Sequence, residues 1–145
     1  MIILEISLLS LFIAQFIKIF TSSPPNFSRI LSSGGMPSSH AAFVSTLSTS
    51  VALKYGYNSD LFAIVVVFSL IVIYDAGGVR RAVGEQANVL NNLLKNIDFK
   101  DLTPDRGKDI KKDLKELVGH TPIEVLLGAL LGISIALLSS SYILS

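Results

Sequence analysis

The chain contains two histidines, and each stands just ahead of an apolar run, in Gly35-Met36-Pro37-Ser38-Ser39-His40 and in Gly119-His120-Thr121-Pro122-Ile123-Glu124. An imidazole in such a place can move a proton or attack an electrophile. His120 and Glu124 are four residues apart and share a helical face if the turn has begun, so the carboxylate can orient the ring and raise its nucleophilicity. A ring held that way can attack phosphorus, forming a phosphoenzyme that water then resolves. Around His40 the glycines permit a tight turn, Pro37 stops the incoming loop, and Ser38 or Ser39 can cap the helix that follows. The N–H groups left open at that cap bind phosphate oxygens, and His40 beside them can protonate a leaving oxygen. A plain helix cap carrying an ordinary polar histidine is the competing reading of the same residues.

Other charged residues could complete a phosphate pocket. In Asp75-Ala76-Gly77-Gly78-Val79-Arg80-Arg81-Ala82-Val83-Gly84-Glu85-Gln86, Arg80 and Arg81 can clamp a phosphate bidentately. The same stretch also reads as a helix terminus tied by an Asp75–arginine ion pair, or as a contact to lipid headgroups. Asp75 and Glu85 offer oxygen ligands to Mg²⁺, but no repeated ligand spacing fixes a site, so no metal is expected. Lys18 and Arg29 add positive charge, with membrane-edge anchoring and headgroup contact as their alternatives. Glu124 is followed at steps of four by Gly128 and Gly132, a smooth face against which another helix can pack closely. Glu124 itself enters a hydrophobic helix and needs a partner or a functional cavity there.

The elements that must carry these groups follow from the apolar runs. Of 145 residues, 50% are hydrophobic and 16% charged, with a mean hydropathy of +0.61. That composition excludes a typical disordered chain and favours a small helical membrane protein over a soluble bundle. A net charge of +1 gives no broad field for nucleic acid, and none is expected as a partner. The absence of cysteine removes disulfides, thiolate nucleophiles and cysteine zinc sites. Four membrane-embedded helices are expected in one compact all-α domain, at about 2–20, 38–55, 60–76 and 121–143. The first has its charge after the apolar run rather than before it, the wrong order for a cleaved signal. The third, rich in β-branched residues, also admits a strand. The last reads as the clearest spanning segment.

Between helices three and four, residues 80–118 hold nine of the twelve Lys/Arg and seven of the eleven Asp/Glu. An amphipathic stretch from Gly84 to Leu94, a connection around 96–107 and a charged helix from Lys108 to Val118 are expected there. This arrangement puts the 21–37 and 77–120 loops on one side, leaving Lys54 alone on the other. The positive-inside bias then assigns both loops to the cytoplasm and both termini to the opposite compartment.

The blocks Ala14-Gln15-Phe16-Ile17-Lys18, Gly34 to Ala41, Asp75 to Arg81, Gly84-Glu85-Gln86-Ala87 and Gly119 to Val125 together resemble the divergent branch of the PAP2 family. That family is related to type 2 phosphatidic-acid phosphatases and vanadium-dependent haloperoxidases, and the likeness covers almost the whole chain. It implies hydrolysis of a phosphate monoester or diphosphate, commonly of a lipid, without a required metal or other cofactor. Carried over by motif, His120 would be the nucleophile, His40 the acid and Glu124 the support that the wider family usually provides as Asp. Lys18 with one or both of Arg80 and Arg81 would hold the phosphate, beside Ser38 and Ser39.

The chain departs from the wider pattern in three places. The usual proline-serine-glycine-histidine block is Pro37-Ser38-Ser39-His40, the arginine usually six positions before the nucleophile is Leu114, and the arginine of the first motif falls at Pro25. The expected function is therefore a membrane phosphatase acting on a membrane lipid or a phosphorylated small molecule, with noncatalytic lipid-phosphate binding or a membrane scaffold as alternatives. Homo-oligomerisation stays open.

Overall fold

A computed structural model of the chain describes residues 2–21, 35–96 and 120–144. The described residues are helical, with no strand among them: α1 (Ile2–Thr21), α2 (Ser39–Tyr55), α3 (Asp60–Tyr74), a π turn (Asp75–Val79), α4 (Arg80–Asn96), α5 (Pro122–Leu138) and α6 (Ser140–Leu144). The strand alternative for 61–74 is thereby set aside. Arg29, the expected 96–107 connection beyond Asn96, and the charged helix 108–118 lie outside the described residues.

α2 sits at the centre, packed against α1, α3, α5 and α6. Its composition explains the position. Ala41, Ala42, Ser45, Thr46, Ser50 and Ala52 are buried along it, and such small side chains let neighbouring backbones come close. Hydroxyl groups tie the helices together. Thr46 Oγ1 donates to the Gly132 carbonyl of α5 at 2.9 Å, while Ser48 and Ser69 join α2 to α3 at 2.7 Å. Hydrogen bonds of this kind hold helices together where water is absent and the surrounding lipid is as apolar as the side chains. A small cluster of Ile6, Ile135 and Ile143 closes the packing between α1, α5 and α6.

The glycine stripe on α5 packs as its spacing suggests. A Cβ on Gly128 would run into the Ser38 carbonyl, and one on Gly132 into the Ala42 carbonyl. The absence of side chains at these two positions sets the separation of α2 and α5.

The outward faces are apolar. Ser69 is the one buried residue of α3, whereas Ile64, Phe68 and Ile71 of the same helix are 53–65% exposed. α1 turns Phe12, Phe16 and Phe20 outward. Contiguous apolar surface on this scale fits contact with lipid rather than water.

Two stretches, Ile2–Thr21 and Asp60–Leu93, are long and apolar enough to cross a membrane. The final run departs from expectation, because it breaks at Ser139 into α5 and the short α6. The 17 residues of α5 rise about 25 Å, short of a hydrocarbon core of about 30 Å. α1, with 20 residues, matches that thickness better. A second departure lies after helix three. Asp75-Ala76-Gly77-Gly78 reads in the sequence as a helix terminus, yet the chain stays helical through it by widening into the π turn and runs on into α4.

Candidate functional site

The site forms where the C-terminal end of α1, the N-terminal end of α2, the π turn and the start of α5 meet. Two main-chain hydrogen bonds hold that junction. The Ser38 N–H donates to the Glu124 carbonyl at 2.9 Å, and the His120 N–H donates to the Ala76 carbonyl at 3.1 Å. The two histidines are consequently neighbours, with ring centroids 6.4 Å apart in an edge-to-face arrangement.

His40 is carried in the first turn of α2. Ser38 caps that helix, its side-chain oxygen accepting from the Ala41 N–H at 3.3 Å. Thr21 at the end of α1 donates to the Met36 carbonyl at 2.6 Å, which draws the residues before the cap onto α1. Gly35 supplies the turn ahead of it with φ of 99°, a conformation that favours glycine.

His120 lies just before α5 and is almost wholly buried. Its Nδ1 lies 3.2 Å from Glu124 Oε2, the contact that the four-residue spacing suggests. The same carboxylate oxygen accepts the Thr121 N–H at 2.9 Å. Glu124 therefore caps the helix while orienting the ring through Nδ1. Thr121 was not singled out in the sequence, although Thr-Pro-Ile-Glu has the spacing of a capping box with proline in the first turn, a readable signal.

Lys18 is 1% exposed. Its Nζ approaches Ser39 Oγ at 3.4 Å. A buried ammonium needs such company. Lys18, Ser38, Ser39, His40, His120 and Glu124 are thus brought into one junction from α1, α2 and α5.

The remaining candidates are placed differently. Arg81 pairs with Glu85 across one turn of α4, Nε to Oε1 at 2.9 Å, and both side chains are exposed. Arg80 opens α4, one turn beyond Ala76. Asp75 is half-buried at the end of α3. Asp75 and Glu85 stand ten positions apart along the helix, a rise of about 15 Å, too far for both to ligate one Mg²⁺. Among the described residues no group of three or more His, Asp or Glu could hold a metal ion.

The arrangement offers an oriented imidazole, a second imidazole close by, a buried cation and a capped helix start, a set suited to binding and attacking a phosphate. Comparison with known proteins agrees with the motif likeness. Residues 2–135 match the Divergent PAP2 family. The chain is also 46% identical over 142 residues, covering 90% of this chain and 89% of the relative, to the membrane protein YuiD of Bacillus subtilis (strain 168). No solved structure gives a significant match. With its apolar outer faces, its clustered histidine motifs and these matches, the chain belongs to the Divergent PAP2 family and is a membrane protein.

Proposed function

We propose that the protein is a multi-pass membrane phosphatase that hydrolyses a phosphate monoester or diphosphate, carried by a lipid, through a phosphohistidine on His120. The observation that carries this reading is the pairing of the two rings at 6.4 Å with Glu124 on Nδ1 of His120. In the first step His120 Nε2 attacks phosphorus, the bond from phosphorus to the leaving oxygen breaks, and His40 gives that oxygen its proton. In the second, water attacks the phosphohistidine, the phosphorus–nitrogen bond breaks, and His40 takes the proton from water. Glu124 stabilises the positive ring while it carries the phosphoryl group.

Lys18 neutralises the phosphate oxygens from the α1 side. Arg80 and Arg81 serve it from the start of α4, since an exposed pair such as Arg81–Glu85 is worth only about 0.3–0.5 kcal/mol and can give way to a phosphate. The positive-inside bias of the sequence favours the cytoplasmic side for this junction. The leading alternative is a noncatalytic lipid-phosphate binder, favoured by Leu114 and Pro25 standing where the wider family has arginines.

The test is phosphate release by the purified protein from phosphatidate and from a soluble aryl phosphate. Turnover that falls at least about a thousandfold in folded His120→Ala supports the phosphatase. Lipid-phosphate binding that survives His120→Ala, without turnover in any form of the protein, supports the binder.

A further inference from the structure

We infer that the Asp75–Val79 π turn is a positioning element for His120, pinning its main chain through the Ala76 carbonyl while Glu124 aims its ring. This inference rests on the proposed role of His120 as the reacting residue.

His120 precedes α5, so its N–H lies outside any helical ladder, and the residue is almost wholly buried. A buried N–H requires an acceptor. The acceptor is the Ala76 carbonyl at 3.1 Å, within the π turn. In a regular α-helix interior carbonyls are committed to the N–H four residues on, whereas a widened turn redirects them, which is why π turns recur at functional sites. The local sequence suits the widening. Ala76 is 2% exposed, and Gly77 and Gly78 weaken the preference for an ordinary α-turn.

The turn sits against α5 at Gly77. A Cβ there would lie 3.6 Å from Val125 Cγ2, next in sequence to Glu124. His120 is consequently held at two points, its N–H by Ala76 and its Nδ1 by Glu124. A shift of the π turn against the first turn of α5 moves the imidazole relative to His40. The Asp75-Ala76-Gly77-Gly78 motif thereby gains a role that needs neither a metal nor direct contact with phosphate.

The full chain in detergent, labelled with ¹⁵N-histidine, provides the test. The His120 Nδ1–H signal is assigned by its loss in His120→Ala, and turnover is measured in parallel. Gly77→Ala meets Val125 at an ordinary contact distance and keeps both the signal and kcat to within about twofold. Gly77→Leu drives further carbons into Val125, displaces the Nδ1–H signal and lowers kcat by about a hundredfold with KM little changed and helical content retained. Unchanged His120 signals in folded Gly77→Leu overturn the inference.

Amide exchange of the unmodified protein adds a check that needs no variant. The His120 N–H exchanges slowly if Ala76 holds it, and exchange at the rate of an open amide overturns the inference. The positioning and the phosphatase reading fail separately. Displaced His120 signals in a protein without turnover keep the first and sink the second, whereas robust turnover with unmoved signals does the reverse.

Discussion

The Ser38 N–H donates to the Glu124 carbonyl at 2.9 Å, and this bond joins the helix start that carries His40 to the turn that orients His120. Glu124 therefore serves both histidines through different groups, its carbonyl on one side and its carboxylate, 3.2 Å from His120 Nδ1, on the other. Only the carboxylate is open to substitution. Glu124→Gln keeps an oxygen able to accept the Thr121 N–H, so stability falls by about 1 kcal/mol or less. Without the negative charge the ring loses its tautomer and its support, and kcat falls by about 10²–10⁴. Thermal midpoint and kcat measured on the same preparation check the split.

Close approach of α2 and α5 sets the distance between the rings. A side chain at Gly128 or Gly132 meets the Ser38 or Ala42 carbonyl well inside van der Waals contact. Gly128→Ala and Gly132→Ala are each expected to destabilise the protein by about 1–3 kcal/mol, the usual cost of overpacking. Gly128→Ala, nearer the cap, also lowers kcat more than Gly132→Ala does. Thermal unfolding in detergent and turnover of the surviving folded fraction measure both effects.

Part of this site is legible in the sequence. The four-residue step from His120 to Glu124 holds because a helix begins just after His120, and the Gly128–Gly132 face packs because helical periodicity carries it to α2. The ends of α1 and α5 that carry Lys18 and His120 meet the start of α2 and the π turn. Other features depend on tertiary contacts. Whether Asp75-Ala76-Gly77-Gly78 ends a helix or widens it depends on a buried N–H arriving from His120, far along the chain. The break at Ser139 falls at the polar triplet Ser139-Ser140-Ser141, but three serines can also continue a helix within a membrane, so the triplet alone does not decide it. The Lys18–Ser39 contact requires knowing how α1 packs on α2, and the Arg81–Glu85 pair depends on α4 being regular from its first residue.

Lys18 is buried beside Ser39. If Lys18 neutralises the phosphate as proposed, Lys18→Met lowers kcat/KM by about 10²–10³. Lys18→Arg does not restore it, since the longer planar guanidinium has no room at a position 1% exposed. Steady-state kinetics on the two variants decide the point.

Arg81 is exposed and paired with Glu85, so its loss costs at most about 0.5 kcal/mol of stability. In the proposed role of phosphate ligand it acts mainly on binding. Arg80→Ala/Arg81→Ala raises KM or the Kd for lipid phosphate at least tenfold, a loss of about 1.4 kcal/mol, while kcat changes less. Equilibrium binding of radiolabelled lipid phosphate reads this directly.

The central claim is that His120 carries the phosphoryl group, and the most direct measurement traps it there. Protein mixed with phosphorus-labelled substrate is quenched in alkali, where phosphohistidine survives, and the label is located by peptide mapping. The account predicts label on His120 in the unmodified protein, more of it in His40→Ala with a substrate whose leaving group needs no proton, and none in His120→Ala. Turnover that persists in His120→Ala, or label that maps to another residue, contradicts it.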